Sequence, residues 1–153
     1  MDQGSPSTID SVIVRLCARL FVGSIFAYAG FLKLMEPAAN FQAVLESYPL
    51  LPTAVIPFLA RTIPWAEWLA GTFLIVGYMT QASALLLTLL SLGFVAVLTS
   101  QLGGHGAESC GCFGSGLALT VRQAYLLDWA SGILGIYLFS RKRHPLALEN
   151  RFR

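Results

Sequence analysis

The chain has 153 residues, 56% of them hydrophobic and only 12% charged, roughly half the charged share of ordinary soluble domains. Ten Lys and Arg against eight Asp and Glu leave a net charge of +2, so an ordinary soluble fold is excluded and there is no basic excess to hold nucleic acid. P-loop, dinucleotide-binding, HExxH and GxSxG signatures do not occur in it, and no repeat divides it into more than one domain.

In chain order, residues 1–11 begin MDQGSPST, polar and interrupted by Gly and Pro, and are expected to form a mobile tail. Residues 12–34 are apolar apart from Arg15, Arg19 and Lys33 toward the ends. That length crosses a bilayer, and long cationic side chains can snorkel to its surfaces. A signal peptide ending at Ala27-Tyr28-Ala29 is the rival reading, weakened because Arg19 interrupts its apolar run. Phe41, Val44, Leu45 and Tyr48 then fall at helical spacing ahead of Pro49 and Pro52, which predicts a short amphipathic helix at the membrane surface.

The second span is expected over residues 64–79, with Pro64 in its first turn and Trp65, Trp68 and Tyr78 marking its ends. A polar turn at Thr80-Gln81 leads to a third span over 82–102. Residues 68–107 carry no Asp, Glu, Lys or Arg; as one helix that run is about 60 Å long, twice the hydrocarbon thickness of about 30 Å, so it holds two spans. The Gly-rich stretch GGHGAESCGCFGSGLALT cannot be a spanning helix and reads as an outer loop. A fourth span over 123–140 carries one charge, Asp128, and stops at Arg141-Lys142-Arg143. Gly23 with Ala27, and Ser131 with Gly135, are spaced to let helices approach closely.

The fold expected is therefore all-α: one four-transmembrane-helix bundle over residues 12–140. A short amphipathic interfacial helix lies between spans one and two, a Cys-containing outer loop between spans three and four, and residues 141–153 form a basic tail. Four spans put both termini on one side with Arg15, Arg19, Arg141, Lys142, Arg143, Arg151 and Arg153. The positive-inside rule makes that side cytoplasmic, so the Cys loop faces outward.

Cys17 lies about 25 Å along the first helix from its outer end and reads as a small buried apolar side chain. Any disulfide would join Cys110 to Cys112, whose spacing across Gly111 can meet the geometric window. So short a bridge carries strain, and strained exposed disulfides are oxidising and labile, which suits exchange. A purely structural disulfide remains open, as does copper or zinc binding by His105, Cys110 and Cys112, with Glu108 the nearest fourth ligand. Ionisable groups inside spans are costly and mark sites by default, which singles out Glu67 and Asp128. With Lys33 and Arg122 they fall in the outer half of the membrane, either as Lys33–Glu67 and Arg122–Asp128 ion pairs or as groups that lower a thiol pKa and relay its proton. Phe41, Tyr48, Phe58, Trp65 and Phe113 read as packing or interface anchors.

Phe26, Ala29-Gly30, Lys33 and Pro37, then Tyr48-Pro49-Leu50-Leu51-Pro52, Pro64 with Glu67, and Cys110-Gly111-Cys112-Phe113-Gly114 before Arg122 make a pattern over residues 12–140. It resembles the methylamine-utilisation protein MauE and the wider DoxX-like redox-associated membrane proteins. The resemblance implies a four-helix protein of the bacterial inner membrane. It associates the chain with disulfide formation in a periplasmic dehydrogenase beside a thioredoxin-like partner, or with quinone as electron acceptor. Cys110 and Cys112 become the exchanging pair, with Lys33, Glu67 and Arg122 lining the site. The function expected is thiol-disulfide exchange on a periplasmic client, with electrons passing to a thioredoxin-like partner or quinone. Two alternatives stand: a non-catalytic small subunit of a larger membrane complex, and metal binding by the loop.

Overall fold

The computed structural model describes residues 6–100 and 120–140, with side chains described from residue 12 onward. Among them are five helices and no strand: α1 (Pro6–Met35), α2 (Ala38–Glu46), α3 (Ile56–Val76), α4 (Thr80–Thr99) and α5 (Val121–Ser140). Val12–Met35 and Thr80–Thr99 are long and apolar enough to cross a membrane. The expected outer loop, the tail from residue 141 and the first five residues lie outside the described residues.

Helix starts differ from the sequence expectation for identifiable reasons. α1 begins at Pro6, so residues 6–11 are helical rather than tail, with proline suiting a first turn, where its missing N–H removes no bond. This places Arg19 in the middle of α1, where it is 4% exposed, and not at an end from which it could snorkel. α3 begins at Ile56 because Pro57, not Pro64, occupies its first turn; Pro64 sits inside the helix. Glu67 is consequently mid-helix, and not one turn from an outer start. The turn between α3 and α4 is Gly77–Tyr78–Met79, not Thr80-Gln81, which open α4. Gly77 takes φ 82° as the left-handed cap, its N–H donating to Phe73 O at 2.8 Å, a position that suits glycine because a Cβ is penalised there. α5 begins two residues early on a capping box, with Gln123 N–H donating to Thr120 Oγ1 at 3.3 Å and Thr120 N–H to Gln123 Oε1 at 3.1 Å.

The long helices alternate in direction. One core layer joins Ala18 and Val22 of α1, Leu74 of α3, Ala84 and Leu87 of α4 and Leu138 of α5. A second joins Ala29, Tyr48, Leu98 and Ala124, at the other end of α1, α4 and α5. The most extensive pairings are α1 on α3 and α4 on α5, with α3 on α4 linking them. α2 buries Phe41 and Leu45 against Ile56 and Ala60 of α3, so its apolar face is turned into the protein.

Small residues set the tight pairings. A Cβ on Gly30 would stand 2.5 Å from Trp68 N and 2.7 Å from Pro64 O, and one on Gly71 would strike Ala27 and stand 2.8 Å from Gly23 O. Gly23 and Ala27 thus serve α1–α3 contact, as their spacing predicts, and a Cβ on Gly135 would strike Thr88 across α4–α5. Thr62, Thr72, Thr88 and Thr99 each donate to the carbonyl four residues back, which satisfies their hydroxyls inside apolar helices. Cys17 is exposed on α1, contrary to the expected buried packing role.

Candidate functional site

Lys33 lies in the last turn of α1, where a cation complements the helix dipole. Gly30 is one turn before it on the same face, and its missing side chain lets the α3 turn from Pro64 to Trp68 approach α1 directly. Glu67 projects from that turn. Lys33 Nζ donates to Glu67 Oε2 at 2.7 Å and to Oε1 at 2.9 Å, with both side chains 1% exposed. The sequence pattern of Gly30, Lys33, Pro64 and Glu67 is therefore a docking device that ends in a buried ion pair.

Aromatic rings surround the ammonium. Its Nζ is 5.0 Å from the Phe41 ring centre and 5.2 Å from that of Phe94, both within cation–π range. Asp128, 5% exposed on α5, faces the pair, close enough for Glu67 and Lys33 to act on it electrostatically. Lys33, Glu67, Asp128, Phe26, Ala29 and Phe94 enclose a cavity of about 10 Å³, space for a single water at most. Three ionisable groups from three helices thus meet around one small cavity.

Tyr48, buried just after α2, borders the same end of the bundle. Burial, with the Asp128 carboxylate nearby, pushes its phenol above the usual tyrosine range. Leu98 and Ala124, in the last turn of α4 and the first of α5, pack beside Ala29 and Tyr48. The end of α4 and the start of α5 therefore lie at the same end of the bundle as the charge cluster.

Of the residues singled out by sequence, Lys33, Glu67 and Asp128 come together. Arg122 does not join them: it is exposed in the first turn of α5, and no salt bridge joins it to Asp128 among the described residues. Six residues along a helix place those two on different faces. His105, Cys110 and Cys112 lie outside the described residues. Phe41 and Tyr48 are buried, whereas Phe58 and Trp65 are 68% and 51% exposed, as anchors facing outward would be. Phe94 leaves no local signal of its contact with Lys33, and Phe41 reads in the sequence only as a packing or interface residue.

Fold and site define a helical membrane protein with a buried charge cluster at one end of its bundle. The chain belongs to the MauE family: the model described as methylamine utilisation protein MauE matches residues 11–139. No curated protein matches the chain. No solved structure matches it either.

Proposed function

We propose that this chain is an accessory protein of the inner membrane that supports thiol-disulfide exchange on exported proteins. Its four long helices, α1, α3, α4 and α5, cross the bilayer with both termini cytoplasmic, and Cys110-Gly111-Cys112 faces the periplasm. In the exchange a client thiolate attacks the Cys110–Cys112 disulfide and forms a mixed disulfide. The client's second thiolate then resolves it, leaving an oxidised client and a reduced pair. Two electrons and two protons pass onward to the disulfide of a thioredoxin-like partner or to quinone.

The observation that carries this reading is the position of the Lys33–Glu67 pair and Asp128 at the end of the bundle where residues 101–119 connect α4 to α5. A cation near a thiol favours the thiolate, the attacking species, and a carboxylate can take up or return the proton. Trapping thiols with acid in growing cells and labelling them tests the reading. A mixed population of oxidised and reduced Cys110–Cys112 is expected, shifted by deletion of the client. Both thiols fully reduced under every condition, with Cys110→Ser and Cys112→Ser leaving activity intact, would instead favour a subunit that acts by packing alone.

A further inference from the structure

Phe41 and Phe94, the rings against Lys33, also line a second and larger cavity of about 380 Å³ between α2, α3 and α4. Its walls are Leu, Val, Ile, Phe, Ala and Gly, with Tyr48 the one lining residue that has a polar side-chain atom. An apolar cavity of about 150 Å³ holds benzene, and at about 30 Å³ per small group this one takes roughly a dozen methylenes.

Gly93 of α4 forms part of the wall and is exposed. Gly23, Gly30 and Gly71 have no room for a side chain, but a Cβ on Gly93 would meet nothing within 4 Å. Glycine inside a helix costs about 1 kcal/mol relative to alanine, and here helix packing does not demand it. What the missing side chain does is leave the cavity open at that point.

We propose that this cavity holds an acyl chain of a bilayer phospholipid, which enters past Gly93 and lies against Phe41 and Phe94. The walls present no charged group to select a head group, so the site recognises hydrocarbon alone. By mass action the most abundant hydrocarbon of the surrounding membrane fills it. The occupant completes the apolar wall behind the two rings. The inference needs only the membrane setting, not the thiol chemistry.

Full-length protein purified from its native membrane is examined by native mass spectrometry, and the lipid it carries is identified after extraction. One retained phospholipid per chain is expected. Gly93→Leu should lose most of it while unfolding at the same temperature or higher, because the new side chain enters open space. Ala96→Leu, which fills the same cavity from the next turn, should do likewise, whereas Ile133→Ala on the exposed face of α5 should retain the lipid. Equal phospholipid in the wild type and both filled variants overturns the proposal. So does a chain that carries none, or one whose retained molecule is an isoprenoid.

Discussion

At the scale of single residues, the Lys33–Glu67 contact is an obligation more than a source of stability. Two charges withdrawn from water lose most of what their attraction returns, so removing one partner is far worse than removing both. Lys33→Met leaves Glu67 buried without its cation and is expected to destabilise the protein by about 3–5 kcal/mol, whereas Lys33→Met with Glu67→Leu should recover most of that loss. Thermal unfolding in detergent checks this, and additive losses would contradict it. The legibility of these residues in the sequence has the same cause. Lys33, Glu67 and Asp128 stand out because a charge in an apolar run needs a reason, whereas Phe94 is one aromatic among many apolar residues of α4 and signals nothing until the fold brings it to Lys33. Arg19 was visible but misread, because its depth depends on where α1 starts.

Tyr48 gives the site a pH signature. Burial first, and the Asp128 carboxylate second, raise its phenol above the ordinary value of 10.0. The folded chain therefore holds this proton more tightly than the unfolded chain. The stabilisation is complete below about pH 10 and is lost as pH rises through the folded-state value. Asp128→Asn should lower the Tyr48 midpoint while leaving it above the ordinary range, since burial persists. Ultraviolet absorbance of tyrosinate, with Tyr48→Phe identifying the signal, measures this; a midpoint that Asp128→Asn does not move would count against the contact.

At the scale of elements, α1 and α3 meet through absent side chains. The atoms that a Cβ on Gly30 would approach, Trp68 N and Pro64 O, are backbone and cannot rotate away. Gly30→Ala should therefore cost about 1–3 kcal/mol, as overpacking does, and should also weaken the Lys33–Glu67 contact one turn further on. Gly93→Ala, with nothing in its path, should cost nothing or gain up to about 1 kcal/mol. The two unfolding temperatures side by side test whether α1–α3 packing depends on that approach. Helix existence and order were legible from apolar periodicity, which any long buried or lipid-facing helix must show. Helix ends were less so, since each of Pro57 and Pro64 could open α3 and only the packing of Ile56 and Ala60 under α2 selects the first. The capping box at Thr120 and Gln123 was written in the sequence and went unread.

At the scale of the whole molecule, alternating helix directions bring the end of α1, the end of α4 and the start of α5 to one level. That places the charge cluster at the end of the bundle where α4 stops and α5 starts, the two helices that flank Cys110-Gly111-Cys112 in the sequence. In the proposed orientation, the seven cations grouped with the termini in the sequence lie on the cytoplasmic side. Low charge content, which first marks the chain as a membrane protein, leaves the buried Lys33–Glu67 pair as the electrostatic centre of the described residues. The central proposal is that this centre serves exchange at Cys110 and Cys112. Its most direct test is to quench growing cells with acid, block free thiols and look for the mixed disulfide between this chain and an exported protein. A reducible adduct is expected, absent from the Cys110→Ser, Cys112→Ser double variant, and Lys33→Met with Glu67→Leu should diminish it without removing the protein from the membrane. No adduct, with client disulfides formed at the normal rate in the double variant, would contradict the account.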